Sequence, residues 1–188
     1  DLCIQPGAIQ GRARGLQTHD RSVPHIGRGQ RAAINLAGIH HAQVRRGHEL
    51  ASPGHLVPSN LLTVSLSLLK SATRPLKNRT RVRVHLGTAE MIATVRLLDG
   101  SHLAPGETAY AQLYLAEPAV STWSQPFVLR NESPVVTIGG GNVLDPCANK
   151  IRRSTTDVQE NLAHLTSDNW VLRASAALYF SGLGAWQP

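Results

Sequence analysis

Three separate runs between residues 62 and 115 alternate apolar and polar side chains with a period of two, and this limits the possible folds more than any other feature. Leu62, Val64, Leu66 and Leu68 are interleaved with Thr63, Ser65 and Ser67. Met91, Ala93, Val95 and Leu97 alternate with Ile92, Thr94 and Arg96, and Ala109, Ala111, Leu113 and Leu115 with Tyr110, Gln112 and Tyr114. Successive side chains of a strand point to opposite faces, so each run reads as a strand with one buried face. Asp99-Gly100, Pro105-Gly106 and Glu117-Pro118 lie between or after these runs and supply turn chemistry. Short strands at this spacing, from Leu2 to about Thr137, predict a barrel or sandwich.

Pro and Gly at Ala51-Ser52-Pro53-Gly54, followed by Pro58, mark a change of direction. They divide a short β piece at 1–54 from a second β unit at 55–146. Beyond Pro146 the period becomes helical: Val158, Leu162 and Leu165 fall at i, i+4 and i+7. Thr156 and Gln159 have capping-box spacing. A second helix is predicted from about Asp168 to Phe180, stopping at Ser181-Gly182. Residues 147–188 therefore read as a helical linker and the start of a further domain. Tyr179, Phe180 and Trp186 crowd the end of the chain, as apolar residues do when further chain is expected to pack on them. The expected class is all-β with a small C-terminal helical part.

The 188 residues carry a formal net charge of +7, unevenly placed. Residues 1–85 hold thirteen of the 19 Lys and Arg against only Asp1, Asp20 and Glu49. Such asymmetry is the footprint of a polyanion, of which nucleic acid is the commonest; a basic surface kept for solubility is the alternative. No apolar run reaches the roughly 18 residues a membrane span needs, and Asp1-Leu2-Cys3-Ile4 does not open a secretory signal. Cys3 and Cys147, far apart, read as reduced thiols of a cytoplasmic protein.

The densest basic segment runs from Arg74 through Lys77, Arg79, Arg81 and Arg83 to His85. In one extended strand Arg79, Arg81 and Arg83 would share a face, with Thr80, Val82 and Val84 on the other. Like charges on one face repel, and phosphates offset that repulsion through bidentate hydrogen bonds; acids on a neighbouring strand could do the same. Arg12, Arg14 and the stretch from Arg28 to Arg31 form a second basic zone. Gly139-Gly140-Gly141 lacks the GxGxxG order of a phosphate loop and reads either as a bulge or as backbone approaching RNA. Six of the nine histidines (His19, His25, His40, His41, His48 and His55) lie in the first sixty residues. None has HExxH spacing, so no metal site is expected. GxSxG, GxxxxGK(S/T) and Asn-Lys-x-Asp are all missing, Asn149-Lys150-Ile151-Arg152 failing at the Asp. Catalysis by this chain alone is not expected.

Several segments together resemble the second and third domains of elongation factor Tu-like translational GTPases, above all the selenocysteine-specific elongation factors. They are Arg12-Ala-Arg-Gly-Leu-Gln-Thr-His19, Gly29-Gln-Arg-Ala-Ala-Ile-Asn-Leu-Ala-Gly38, Val44-Arg-Arg-Gly-His-Glu-Leu50, Arg74-Pro-Leu-Lys77, His85-Leu-Gly-Thr-Ala-Glu90, Leu103-Ala-Pro-Gly-Glu107, Phe127-Val-Leu-Arg130 and Thr137 through Pro146. The resemblance covers about Asp1 to Pro146. It implies two consecutive β-barrels of the translation-factor type, the first partial, followed by helices. It places Arg31 in the aminoacyl pocket, where a fixed guanidinium would recognise the ionised selenol. It assigns Arg74, Lys77, Arg79, Arg81, Arg83, Arg130, Gly139, Gly140 and Gly141 to RNA binding. The implied partners are selenocysteinyl-tRNA, the ribosome and, through further C-terminal domains, an mRNA hairpin, with no membrane. This chain would need no cofactor, GTP and Mg belonging to the family's GTPase domain. The competing reading is a structural β-module that mediates protein contacts through an exposed strand edge.

Overall fold

The computed structural model describes residues 1–183; Trp186 lies outside them. The strands, in chain order, are β1 (Leu2–Gln5), β2 (Ile9–Thr18), β3 (Arg21–Val23), β4 (Ala33–Ala37), β5 (Glu49–Ala51), β6 (Ser59–Leu68), β7 (Leu76–Lys77), β8 (Arg81–Leu86), β9 (Ala89–Leu97), β10 (His102–Leu103), β11 (Thr108–Ala119), β12 (Pro126–Asn131) and β13 (Thr137–Asp145). Two helices follow, α1 (Thr156–Leu165) and α2 (Trp170–Ser181).

Six strands close into a barrel in the order β11-β6-β13-β12-β8-β9. Every neighbouring pair is antiparallel. The alternating runs fill its interior: Leu62, Val64, Leu66, Ala93, Val95, Ala111 and Leu113 are buried there with Val82, Val84, Leu86, Phe127, Leu129 and Val143. Closure leaves no free strand edge in the barrel. The partial barrel expected over 1–54 is an open five-stranded sheet in which β4 pairs β2 beside the order β3-β2-β1-β5. Its fully buried hydrophobic residues are Cys3 and Ile4, so it has little core of its own.

The open sheet meets the barrel at the β8–β9 turn. Arg46 Nε donates to the Thr88 carbonyl at 3.1 Å, and the Gly47 N–H to Thr88 Oγ1 at 3.1 Å. Gly47 has φ +94, and a Cβ there would press on Ala89. Burial at this junction pushes the Glu49 carboxyl up, a hydrogen bond with the Gln125 side chain opposing it.

Helix α1 starts one residue earlier than the capping box suggests. Thr155, extended at φ −91 and ψ 169, is the N-cap and accepts from the Val158 N–H, while Gln159 turns back to Ser154. Asn169 caps α2, which ends on Gly182 in the left-handed region at φ 77. Leu98, Leu144, Ile151, Val158, Leu162, Leu165 and Ala176 form a second buried cluster, which joins the helices to the outside of the barrel. No described helix is long and apolar enough to cross a membrane.

Candidate nucleic-acid interface

The basic segment does not form the single arginine-lined strand its spacing suggests. β7 pairs with β10, and the Thr80 N–H and Oγ1 both donate to the Lys77 carbonyl, closing a turn. Arg79 sits in that turn at φ +64, anchored by its N–H on the Val95 carbonyl at 2.8 Å. The strand begins only at Arg81, so Arg79 does not share its face. From there the alternation holds: Val82, Val84 and Leu86 are buried, while Arg81, Arg83 and His85 face outward.

Both outward guanidiniums on β8 meet carboxylates of the same chain. Arg81 Nη2 lies 3.1 Å from Glu132, and Arg83 Nη1 donates to Glu90 Oε1 at 2.5 Å. The alternative of acids on a neighbouring strand is thus realised at Arg83, through Glu90 on β9, while Arg81 pairs with Glu132 in the loop after β12. Arg130, directly opposite Arg83 on β12, donates its Nη2 to the Val135 carbonyl at 2.9 Å. These contacts weaken Arg81, Arg83 and Arg130 as standing phosphate ligands, because each phosphate would have to displace a bond already made.

Gly139, Gly140 and Gly141 are explained by strand packing. A Cβ on Gly139 or Gly141 would meet the Ser67 or Ser65 carbonyl of β6, and one on Gly140 the Phe127 carbonyl of β12. β13 lies between those two strands. Its glycines let three backbones close the barrel, with register shifts after Leu129 and Val143. The three glycines themselves pair in regular register on both sides, so close approach of the neighbouring backbones accounts for the run rather than a bulge within it.

Arg74 and Lys77 remain as cations open to a ligand. They are exposed and make no ion pair among the described residues. They line one open cleft of about 440 Å³ with Thr80, Asn131, Ser133 and Pro134. Exposed Arg79 is likewise unpaired among the described residues but is not part of that wall. Arg31 lies in the other unit, just before β4, in a hollow of about 290 Å³ with Gln17, Thr18, His19, Asp20, Ala32 and Ala33. Its approach is set locally: the Gly27 N–H donates to Gln30 Oε1 at 2.8 Å and Gly29 adopts φ +83, so the Gly-Gln pair folds the turn that presents Arg31.

His40 caps a single 3-10 turn and its ring lies 4.4 Å from that of His41. Among the described residues no three His, Cys, Asp or Glu side chains are placed to hold a metal ion.

Sequence reasoning missed the residues that fasten the helical part to the barrel. Thr63, Gln112 and Arg96 lie side by side on β6, β11 and β9. Gln112, 0% exposed, donates to Thr63 Oγ1 at 3.2 Å and to the Asn149 carbonyl at 2.8 Å, and accepts from the Ile151 N–H at 3.1 Å. Arg96 donates to the carbonyls of Ile151 at 2.6 Å and Arg152 at 3.1 Å. Trp123 Nε1 donates to the Leu165 carbonyl at 3.0 Å, and the Arg173 guanidinium sits 4.4 Å over the Trp123 ring. Facing polar residues on adjacent strands were the available signal, but exposure to solvent gives the same pattern.

Comparison with known proteins follows this architecture. Residues 63–150, most of the closed barrel, match the family described as "Selenocysteine-specific elongation factor, beta-barrel domain". The chain is 36% identical over 159 residues to the selenocysteine-specific elongation factor of Desulfomicrobium baculatum, an alignment covering 85% of this chain and 25% of that protein. It is 27% identical over 140 residues to elongation factor Tu 2 of Streptomyces avermitilis, covering 72% of this chain and 35% of that protein. The chain thus spans between a quarter and about a third of the length of these relatives. It belongs to the selenocysteine-specific elongation factor family, and its six-stranded barrel is that family's β-barrel domain.

Proposed function

We propose that this chain binds selenocysteinyl-tRNA during translation in the cytoplasm, as a non-catalytic part of an elongation factor. The observation that carries this reading is the cleft between Arg74 and Lys77, two exposed cations with no carboxylate partner among the described residues. Phosphates along an RNA stem are the natural partners of such a pair. Arg79, next to them in the turn, adds a third cation. Arg31 would meet the aminoacyl end, its fixed charge distinguishing an ionised selenol from a neutral hydroxyl. GTP and Mg would be held by a GTPase domain, and ribosome and mRNA hairpin by other parts of the factor.

Filter binding of tRNA at several salt concentrations tests the reading. Each cation that neutralises a phosphate contributes about 0.7–0.9 to the slope of log affinity against log salt. Replacing Arg74, Lys77 and Arg79 together by alanine should flatten that slope by roughly two units and weaken binding roughly tenfold at moderate salt. Affinity that is undetectable or insensitive to salt in the parent chain rejects RNA binding and favours a module for protein contacts.

A separate comparison addresses Arg31. Arg31→Ala should weaken selenocysteinyl-tRNA about tenfold relative to seryl-tRNA, the scale of one charge-assisted hydrogen bond. Equal weakening of both rejects the selenol role.

A further inference from the structure

Helix α2 is apolar over most of its length yet buries little. Of Trp170–Ser181 only Ala176 is buried, and Trp170 is 71% exposed. One face of the helix borders an open cleft of about 490 Å³ instead of a packed partner. Trp123 from the loop after β11, Leu165 at the end of α1, and Trp170, Ala177 and Phe180 of α2 supply its apolar walls. Clefts that hold small molecules are typically about 300–1,000 Å³, mostly apolar and aromatic, with a few polar groups that orient the ligand.

The polar groups of this cleft are one-sided. Four of its side chains already donate to carbonyls of the chain: Trp123 to Leu165, Asn149 to Phe180 at 3.0 Å, Ser181 to Leu178 at 2.9 Å and Arg173 to Ser167 at 2.9 Å. Arg173 also covers one side of the Trp123 ring. Asp145 is different. Its Oδ1 accepts the Cys147 N–H at 3.0 Å, and no cation pairs with its carboxylate among the described residues. Burial pushes that carboxyl up, the Cys147 bond opposing, as expected of a charge drawn from water without a counter-ion. Aromatic walls around one uncompensated carboxylate are the complement of an amphipathic cation.

We propose that this cleft binds a small organic cation, an amine joined to one aromatic or branched apolar group. Its ammonium pairs with Asp145 while its apolar part rests among Trp123, Trp170 and Phe180. The lining shares no residue with the Arg74–Lys77 cleft or with the hollow around Arg31, so the inference is independent of the RNA-binding reading. A chain of net charge +7 repels cations in general, and retaining one takes a dedicated carboxylate. The walls come from barrel loops on one side and α2 on the other. A bound cation therefore also braces the helical part against the barrel.

Titration calorimetry on the 188-residue chain tests this with phenethylamine as the probe. Phenethyl alcohol and hydrocinnamate serve as neutral and anionic counterparts of similar size. The amine should bind at least about tenfold tighter than the alcohol, the scale of one charge-assisted hydrogen bond, and hydrocinnamate more weakly than either. Asp145→Asn keeps an acceptor for the Cys147 N–H and should weaken the amine about tenfold while leaving the alcohol unchanged. Trp170→Ala, at an exposed position, should weaken amine and alcohol alike by several-fold. No measurable binding of the amine, equal affinity for amine and alcohol, or an amine preference that survives Asp145→Asn overturns the inference. So does Trp170→Ala if it leaves both affinities intact. A dimer in sedimentation that Trp170→Ala dissolves would assign the cleft to a second copy and overturn the small-ligand assignment. None of these readouts involves tRNA, so the RNA-binding reading stands or falls separately. Superimposable melting curves check that the variants are folded.

Discussion

Gly141→Ala is expected to lower the melting temperature of the chain by roughly 6–12 °C. The new methyl would collide with the Ser65 carbonyl, with Leu66 Cα only 3.1 Å from the built Cβ. Both atoms are backbone of β6, itself paired on two sides inside a closed barrel, so neither can move without opening the ladder. Overpacking typically costs about 1–3 kcal/mol, and a rigid backbone obstacle puts this case at the upper end. For a chain of this size each kcal/mol lowers the melting temperature by about 2–4 °C. Gly15→Ala is the matched control. It lies in β2, and nothing stands within 4 Å of a Cβ there. Lower unfolded-state entropy should then raise stability slightly, by up to about 1 kcal/mol. Calorimetric melts that move both variants in the same direction would refute the packing account of the glycine run.

That contrast shows where the sequence was readable. Val82, Val84, Leu113 and Val95 could be placed from period alone, because a closed barrel has one dry interior and each strand shows it every second residue. The glycine run could be recognised as a place of close approach, but not which strands approached, since β6 lies some seventy residues before β13. Arg79 was misplaced because a left-handed non-glycine residue is uncommon and leaves no compositional trace; only the bonds of Thr80 to Lys77 reveal the turn. Thr155 and Thr156 are equally suitable caps by type, and the extended backbone at Thr155 decides between them.

The candidate site was less legible than the fold, for a related reason. Whether Arg81 is free or paired depends on Glu132, and whether Arg83 is free depends on Glu90. Both pairings are set by strand order and register, which an alternating pattern does not encode. Arg74 and Lys77 precede β8, line an open cleft and make no ion pair with the acids on β9 or after β12 among the described residues. Charge density marks where cations gather along the chain, but not which of them are already paired with carboxylates of the same chain.

Gln112→Leu should detach the helical part while sparing the barrel. Gln112 is the only described side chain that both donates to and accepts from the backbone of residues 149–151. Leucine would leave the Ile151 N–H and the Asn149 carbonyl without their partner beneath the linker. An unsatisfied buried group costs about 1–3 kcal/mol, so two approach the strength of the whole docking contact. Arg96 holds the Ile151 carbonyl and would keep part of the linker in place, so adding Arg96→Ala should cost less than the sum of the single effects. The barrel interior and the helix-bearing cluster are separate sets of buried residues, and loss of the second leaves the first intact. Lys150, Arg152 and Arg153 lie in the freed stretch, so limited trypsin digestion should cut there at least about tenfold faster, as expected for roughly 1.4 kcal/mol of lost protection. Trp123 would lose the Leu165 carbonyl and Arg173 together, and its fluorescence should shift to the red with the barrel's circular dichroism unchanged. Unaltered cleavage at these three residues would mean that the helices are held by the apolar cluster alone, with Gln112 only filling space.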